Sequence, residues 1–162
     1  MGSIIKAIKI NHFDLKRERG WDKTYWAIDI HGTILKPNYQ KGNIPKEFYP
    51  YAIECLQYLT QRKDIVLIKY TCSHLNEIEE YKIYFESLGI KFDYVNVNPE
   101  ILTRHDSLGN YDQKPYFNIL LEDKAAFDPE VEWLEILNYM KEHEDEENKR
   151  SILTAYPLTN IK

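Results

Sequence analysis

Asp29 is the residue whose type and position in the chain most clearly predict chemistry. It ends an apolar run that begins at Tyr25, and it is followed by a histidine, Gly32 and Thr33. Consecutive aromatic and aliphatic residues are typical of a buried strand, and the glycine permits a sharp turn at its end. Open α/β sheets bind their ligands at the carboxyl ends of their strands. A carboxylate at this place predicts a nucleophile toward phosphorus or a ligand for a hard cation; an aspartate that only caps a turn is the structural alternative.

Polar residues also lie at the ends of two further apolar runs. Thr71 ends one of them, Glu122 and Asp123 end the other, and Lys114 precedes the second run. The carboxyl ends of parallel strands lie along one edge of a sheet, so these groups are predicted to converge with Asp29. Together they meet the needs of phosphoryl transfer: a nucleophile, carboxylates that hold a charge-screening divalent cation, and a hydroxyl and an ammonium for the phosphoryl oxygens.

The composition of the 162-residue chain is that of a folded domain, since 43% of its residues are hydrophobic. The net charge of −5 argues against general binding of nucleic acid, but a locally basic site would still admit a nucleotide or a nucleic-acid end. Cys55 and Cys72 are too few for a disulfide framework. No apolar stretch approaches a membrane span and the first residues lack a signal-peptide core, so we expect a cytoplasmic protein without membrane partners.

Hydrophobic periodicity predicts alternating strands and helices, and hence parallel strands joined by right-handed helical crossovers. The predicted strands are residues 25–29, 64–70, 92–97 and 116–121. The predicted helices are residues 47–62, residues 75–88 with Gly89 as their terminator, and residues 129–142. The remaining predictions are an edge strand or half of a β-hairpin at 4–10, and loops at 11–23, 36–50 and 98–113.

A single domain is predicted for residues 1–162, with its core at about 24–140. Residues 142–162 form a charged extension in this interpretation. The dense charge of residues 142–150 favours a solvated helix end or a flexible segment. The apolar residues that follow, among them Ile152 and Tyr156, are sufficient to dock on the domain or to add a strand.

The four strand-end groups resemble the four motifs of the haloacid dehalogenase (HAD) superfamily of phosphotransferases. The first motif, Asp-x-Asp-Gly-Thr, matches residues 29–33, and the second ends at Thr71. The third is Lys114, and the fourth is the acidic pair that follows residues 116–121. The resemblance spans residues 24–138. Within it, residues 67–98 resemble the small HAD-like hydrolases of bacteria and phages. It implies a three-layer Rossmann-like α/β fold with a mostly parallel central sheet, and a phosphohydrolase that acts on a phosphomonoester.

The resemblance also implies a Mg²⁺ site. Asp29 would bind the ion and, as the nucleophile, would form an aspartyl-phosphate. Asp123 would be the principal metal carboxylate, and His31 would contribute its backbone carbonyl. Glu122 and Asp128 would act through water or through indirect contacts. Magnesium is the expected ion because all of these ligands are hard oxygen atoms.

The substrate contacts implied by the resemblance come from hydroxyl and ammonium groups. Thr71 and Lys114 would bind the transferring phosphoryl group, and Lys114 would also orient Asp29. Thr33, the last residue of the first motif, and Ser73, which follows the second motif, are predicted to bind substrate as well.

His31 departs from the superfamily pattern, which usually has a second aspartate there as the general acid-base. An imidazole can also donate and accept protons, with a reference pKa of about 6.5. One interpretation is therefore a working acid-base with a slower reaction or a shifted pH optimum. Two alternatives are a catalytically degenerate domain that binds a phosphate ligand or a protein, and a histidine that is merely packed in the turn.

Neither of the positions at which HAD enzymes insert a cap domain has room for a full one, because residues 34–64 and 74–113 are too short. The predicted site is therefore open, with loops 36–50 and 98–113 as a partial rim. Expected partners are a phosphorylated small molecule, a nucleotide or the phosphorylated end of a macromolecule, and a homo-oligomer could supply a lid. Tyrosines such as Tyr39 could stack on a base or a sugar, or could be half-buried packing residues.

Overall fold

Four strands form one sheet in the order β3-β2-β1-β4. This computed structural model describes residues 1–144. Every pairing in the sheet is parallel, and Trp26 of β1 pairs with Leu67 of β2 on one side and with Ile119 of β4 on the other. The predicted α/β fold around a parallel sheet is therefore confirmed. The strands are β1 (Thr24–Ile28), β2 (Ile65–Lys69), β3 (Tyr94–Val95) and β4 (Ile119–Leu121).

The helices follow the predicted order after each of β1, β2 and β4. They are α1 (Ser3–Ile8), a π-helical segment (Lys9–Asp14), α2 (Leu15–Arg19), α3 (Ala52–Gln61), α4 (Leu75–Ser87), a 3₁₀ helix (Asp123–Ala125) and α5 (Glu132–Glu142). Helix α3 begins five residues later than predicted. Pro50 disfavours helical backbone before it, and Tyr51 has a left-handed conformation with φ of 61°.

The prediction of a strand at residues 4–10 and a loop at 11–23 is wrong, because residues 3–19 are helical throughout. Ile4, Ile5 and Ile8 are buried together, which is the spacing of one helix face. The buried His12 continues that face after one further turn. The weak alternation of apolar and polar residues in this segment therefore reflected a period of 3.6 rather than 2.

The two faces of the sheet are covered differently. Trp26 and Leu67 face the main core, to which α1, α3, α4 and α5 contribute. The alternate residues Tyr25, Val66 and Ile68 face a smaller cluster, completed by residues such as Phe117 from the connection between β3 and β4. That connection contains no helix, because residues 96–118 are irregular. The arrangement is Rossmann-like, with an irregular segment as the layer opposite the helices.

Asp64 ties the N-terminal helices to the edge of the sheet opposite the candidate site. Its carboxylate accepts a hydrogen bond from Lys16 Nζ at 2.6 Å and from an Arg62 nitrogen at 2.7 Å. His12 Nε2 lies 3.4 Å from the same carboxylate, and His12 Nδ1 lies 2.7 Å from the hydroxyl of Thr24. Lys16 and His12 are buried and Asp64 is half-buried, so this ionic cluster lies partly in the interior.

The connections leave no room for a full cap domain. Within residues 1–144, β1 and α3 are joined by an irregular segment with only isolated bridges, and residues 74–113 hold only α4, the two-residue strand β3 and irregular segments. None of the helices in this part of the chain is long and apolar enough to cross a membrane. The apolar residues expected to dock or to add a strand, including Ile152 and Tyr156, lie outside the described residues.

Candidate active site

Asp29 lies at the carboxyl edge of the sheet, as its position after β1 predicts. Its backbone N–H donates to the carbonyl of Leu121 at 3.0 Å, which continues the pairing of β1 with β4. The residue is 9% exposed. Burial raises the pKa of the Asp29 carboxyl above its usual value and the negative charge of Asp123 raises it further, while a hydrogen bond from the Ile30 backbone lowers it. Asp29 is therefore a buried carboxyl group beside a second acid.

Three carboxyl groups meet at this edge. One oxygen each of Asp29, Glu122 and Asp123 lies within 4.8 Å of the others. Burial and the neighbouring carboxyl groups of Asp123 and Asp29 raise the pKa of Glu122 to about 7. Negative charges on carboxylates this close together repel one another, and either a bound proton or a bound cation relieves the repulsion.

The acidic cluster has the features expected of a site for a divalent cation. Asp123 Oδ1 is buried and has no hydrogen-bond partner among the described residues. A buried carboxylate oxygen is costly without a partner, and a bound ion would supply one. All of the clustered donors are hard oxygen atoms, which suit Mg²⁺ and similar ions.

Thr33 holds two of these acids together. Its hydroxyl accepts a hydrogen bond from the Asp123 N–H at 3.0 Å and donates to Asp29 Oδ2 at 3.4 Å. Its backbone carbonyl accepts from the indole N–H of Trp133 at 2.9 Å. The residue is completely buried, so its hydroxyl is used inside the protein; binding of substrate by Thr33 remains a prediction.

Gly32 allows the turn after β1 to approach Asp123 closely. Its φ is 81°, in the left-handed region that favours glycine. A Cβ atom added at this position would lie 2.7 Å from Asp123 Oδ2, which is closer than real contacts allow. Both the backbone conformation and the neighbouring carboxylate therefore require glycine here.

The side chain of His31 is held by Tyr81, a residue that the sequence did not indicate as functional. His31 Nε2 lies 2.6 Å from the Tyr81 hydroxyl. Tyr81 is completely buried on α4, and its ring stacks on Phe85. Burial raises the pKa of the Tyr81 hydroxyl far above its usual value, so it stays a neutral phenol. The signal in the sequence was weak, since Tyr81 has the spacing of an ordinary core residue of α4.

The second predicted motif lies at the same edge but makes its own contacts. The backbone of Thr71 exchanges two hydrogen bonds of 2.8 Å with the side chain of Asn96, and its hydroxyl lies 2.8 Å from that of Ser73. Thr71 is buried and Ser73 is half-buried. No hydrogen bond joins either residue to Asp29 within residues 1–144.

Lys114 and Asp128 lie outside the acidic cluster. Lys114 is exposed, and its ammonium lies 5.7 Å from the centre of the Phe117 ring. The exposed Asp128 accepts a hydrogen bond from the Glu130 N–H at 3.1 Å, in the turn before α5. Their roles toward phosphate and metal remain predictions. A different lysine, Lys124, directly follows the acidic pair, and its positive charge lowers the pKa of Asp29.

A cavity of about 450 Å³ opens beside the cluster. It lies between the turn after β1, α4 and the loop at residues 37–45. Its lining includes His31, Gly32, Asp123, Lys124, Glu77 and Tyr81, together with polar residues of that loop. This volume is in the range of small-molecule sites, so the cavity can receive a ligand next to the carboxylates.

Comparison with known proteins extends the description of the fold. No family model matches the chain, and no curated protein sequence matches it. A solved structure of a conserved protein from Bacteroides thetaiotaomicron is similar, with a TM-score of 0.55 and 23% identity. The match covers 74% of this chain and 91% of the other chain. At this identity the similarity shows a shared fold.

Proposed function

We propose that this chain is a magnesium-dependent phosphohydrolase of the haloacid dehalogenase type, which hydrolyses a phosphomonoester through an aspartyl-phosphate. The observation that carries the proposal is the group formed by Asp29, Glu122 and Asp123, with one carboxylate oxygen buried and unpartnered. The resemblance of residues 29–33 and of the later strand ends to the HAD motifs supports the same conclusion.

Asp29 and Asp123 would hold the magnesium ion together with the backbone carbonyl of His31, and Glu122 would complete the acidic surroundings. When bound, the ion supplies positive charge that offsets the repulsion between the carboxylates and the phosphate. The hydroxyl of Thr33 fixes the relative position of Asp29 and Asp123 before any ligand arrives. Such preorganisation lowers the cost of assembling the site at each turnover.

The first step transfers the phosphoryl group to Asp29. A carboxylate oxygen of Asp29 attacks phosphorus, and the bond from phosphorus to the leaving oxygen breaks with its electron pair. His31 gives a proton to that oxygen, so the product leaves as a neutral alcohol. In the second step water attacks phosphorus, His31 takes the proton, and the bond to Asp29 breaks. Inorganic phosphate leaves and both side chains return to their starting states.

Tyr81 determines which nitrogen of His31 is available for these transfers. Because Nε2 lies at 2.6 Å from the Tyr81 hydroxyl, Nδ1 is the nitrogen left for the leaving oxygen. The imidazole is bulkier than the aspartate usual in this superfamily, and the contact with α4 fixes its orientation. A fixed orientation is what a general acid needs before its proton transfer.

The phosphoryl oxygens require positive charge and hydroxyl groups. Thr71 stands at the same edge of the sheet, at the end of β2. Lys124 lines the cavity beside Asp123, whereas Lys114 is exposed near Phe117. We include both lysines in the proposal, Lys114 on the resemblance and Lys124 on its position.

The test is phosphate release from p-nitrophenyl phosphate at several Mg²⁺ concentrations. We expect magnesium-dependent release that falls to background in Asp29→Asn. The matched control is Asp22→Asn, which changes an exposed aspartate before β1, at the opposite edge of the sheet, and should keep wild-type activity. His31→Ala should lose about 10²- to 10⁴-fold in kcat, the usual contribution of a general acid-base.

The absence of release between pH 5 and 9, or equal release by Asp29→Asn and the wild type, would contradict the proposal. In the first case, a thermal shift on addition of inorganic phosphate would point to the alternative of a phosphate-binding domain without turnover.

A further inference from the structure

The loop between β1 and α3 presents an aromatic side chain at the mouth of the cavity. Tyr39 is 94% exposed and is one of the lining residues. Its φ is 54°, a left-handed conformation that is uncommon for tyrosine. A single exposed aromatic residue is ordinary on a protein surface. The combination of exposure, backbone strain and a position at the cavity is less ordinary, and strained residues concentrate at functional sites.

Hydrogen bonds hold this loop in its conformation. The Asn38 side chain donates to the carbonyl of Asn43 at 2.8 Å and accepts from the Gln40 N–H at 3.1 Å. The Asn43 side chain donates to Gln40 Oε1 at 3.1 Å. At the base of the loop the Lys36 N–H donates to the carbonyl of Glu47 at 2.8 Å. The ring of Tyr39 is therefore carried by an ordered segment, which reduces the entropy lost when a ligand stacks on it.

The charges around the cavity limit the chemistry of the leaving group. The charged or titratable side chains of the lining are His31, Glu77, Asp123, Lys124 and the two tyrosines, Tyr39 and Tyr81. The loop that carries Tyr39 adds only amide, aromatic and proline side chains to this lining. A second phosphate on the leaving group could pair with one lysine of the lining, Lys124, but would also be repelled by the carboxylate of Glu77. An uncharged group with a flat ring and polar edges suits these surroundings better.

We propose that the substrate is a nucleoside monophosphate, with its phosphate at Asp29 and its base stacked on Tyr39. This inference rests on the proposed phosphohydrolase function and adds the substrate class. Stacking on one tyrosine tolerates any base, because every base has a π face. The sugar would then span the cavity between His31 and the loop.

The experiment compares kcat/KM for adenosine 5′-monophosphate with kcat/KM for ribose 5-phosphate, which lacks the base. We expect the wild type to favour the nucleotide at least 10-fold. Loss of base stacking in Tyr39→Ala should lower the ratio of the two constants by about 5- to 100-fold. Tyr39→Phe keeps an aromatic ring and should keep most of the preference.

Tyr51→Ala is the matched control. Tyr51 belongs to the same connection, is 48% exposed and has a φ of 61°, but it is not among the residues that line the cavity. This substitution therefore repeats the backbone change without removing the proposed stacking surface, and the ratio should stay at the wild-type value.

The outcomes separate this inference from the function on which it rests. Turnover of ribose 5-phosphate that depends on Asp29, without any preference for the nucleotide, would overturn the substrate class and leave the phosphohydrolase intact. An unchanged ratio in Tyr39→Ala would overturn the role of Tyr39. If neither compound releases phosphate, the proposed function fails, and calorimetry with adenosine 5′-monophosphate and Mg²⁺ then decides whether a nucleotide site exists at all; no binding would overturn it.

Discussion

Replacement of Gly32 by alanine tests the geometry of the candidate site at its tightest point. The added Cβ would lie 2.7 Å from Asp123 Oδ2 and 3.0 Å from its Cγ, whereas ordinary contacts begin at 3.4 Å. The Asp123 carboxylate would therefore have to move by about 0.7 Å, the difference between 3.4 and 2.7 Å. The backbone N–H of Asp123 is hydrogen-bonded to the Thr33 hydroxyl, so the movement is restricted to the Asp123 side chain. The movement disturbs the position of the carboxylate beside Asp29.

Two costs contribute to the expected effect of Gly32→Ala. A left-handed conformation costs a residue with a Cβ about 1–2 kcal/mol, which lowers the melting temperature of a domain of this size by about 2–4 °C per kcal/mol. Displacement of a group that supports metal binding typically lowers metal affinity about 10- to 100-fold. At saturating Mg²⁺ that loss removes a further 1.4–2.7 kcal/mol, roughly, of ligand-induced stabilisation.

Gly42→Ala separates the two costs. Gly42 has a similar φ of 75°, and a Cβ added there meets no atom within 4 Å. Thermal unfolding of both variants would be followed in EDTA and in a series of Mg²⁺ concentrations. We expect Gly42→Ala to lose stability equally in both conditions, and Gly32→Ala to lose more and to show a weaker response to Mg²⁺.

The reasoning is refuted if the two variants melt at the same temperature and respond equally to Mg²⁺. That result would mean that the Asp123 carboxylate does not lie against Gly32, or that it takes no part in binding the ion.

Two further predictions concern ionisable groups. Burial and neighbouring acids raise the pKa of Glu122 from 4.5 to about 7, so the folded chain holds this proton more tightly than the unfolded chain does. In EDTA the contribution of Glu122 to the free energy of unfolding should fall as pH rises from 4.5 to about 7. In urea unfolding, Glu122→Gln should flatten the dependence of that free energy on pH. The control Glu142→Gln, on α5, should leave the pH dependence unchanged. A wild-type slope in Glu122→Gln would contradict the shift. At the opposite edge, Asp64→Asn leaves the buried Lys16 without the carboxylate at 2.6 Å and should cost about 3–5 kcal/mol in urea unfolding. Glu47→Gln, which removes one partner of an exposed ion pair, should cost less than about 1 kcal/mol. Equal costs for Asp64→Asn and Glu47→Gln would show that the Asp64 cluster stabilises the fold no more than an exposed ion pair does.

The sequence predicted β1 and β2 well because their apolar runs reflect burial on both faces. Residues of β1 and β2 are buried without exception, and the predicted runs coincide with these strands to within a residue or so at each end. The short strand β3 extends over two residues of a predicted six, since its side chains are only half-buried. At the amino terminus the same apolar residues fitted two periods, and only packing against the core distinguishes them.

Part of the candidate site could likewise be predicted from the sequence, and part could not. The approach of Asp29 to Asp123 followed from two strand ends in a parallel sheet, which needs no knowledge of side-chain positions. The role of Lys114 stays a prediction, because closeness to a strand in sequence does not determine where a long side chain ends; its ammonium lies over the ring of Phe117. The link through Thr33 also required the structure, since its hydroxyl accepts a hydrogen bond from Asp123, which lies 90 positions further along the chain.

His31 illustrates why a departure from a motif cannot be judged from the motif alone. An imidazole in place of a carboxylate needs room and a polar partner, and both come from α4, 50 residues further along the chain. Tyr81 is completely buried, so its hydroxyl would be costly without a partner, and the same contact satisfies both side chains. The contact occupies Nε2 of His31, so the proton transfer proposed at Asp29 would have to use Nδ1.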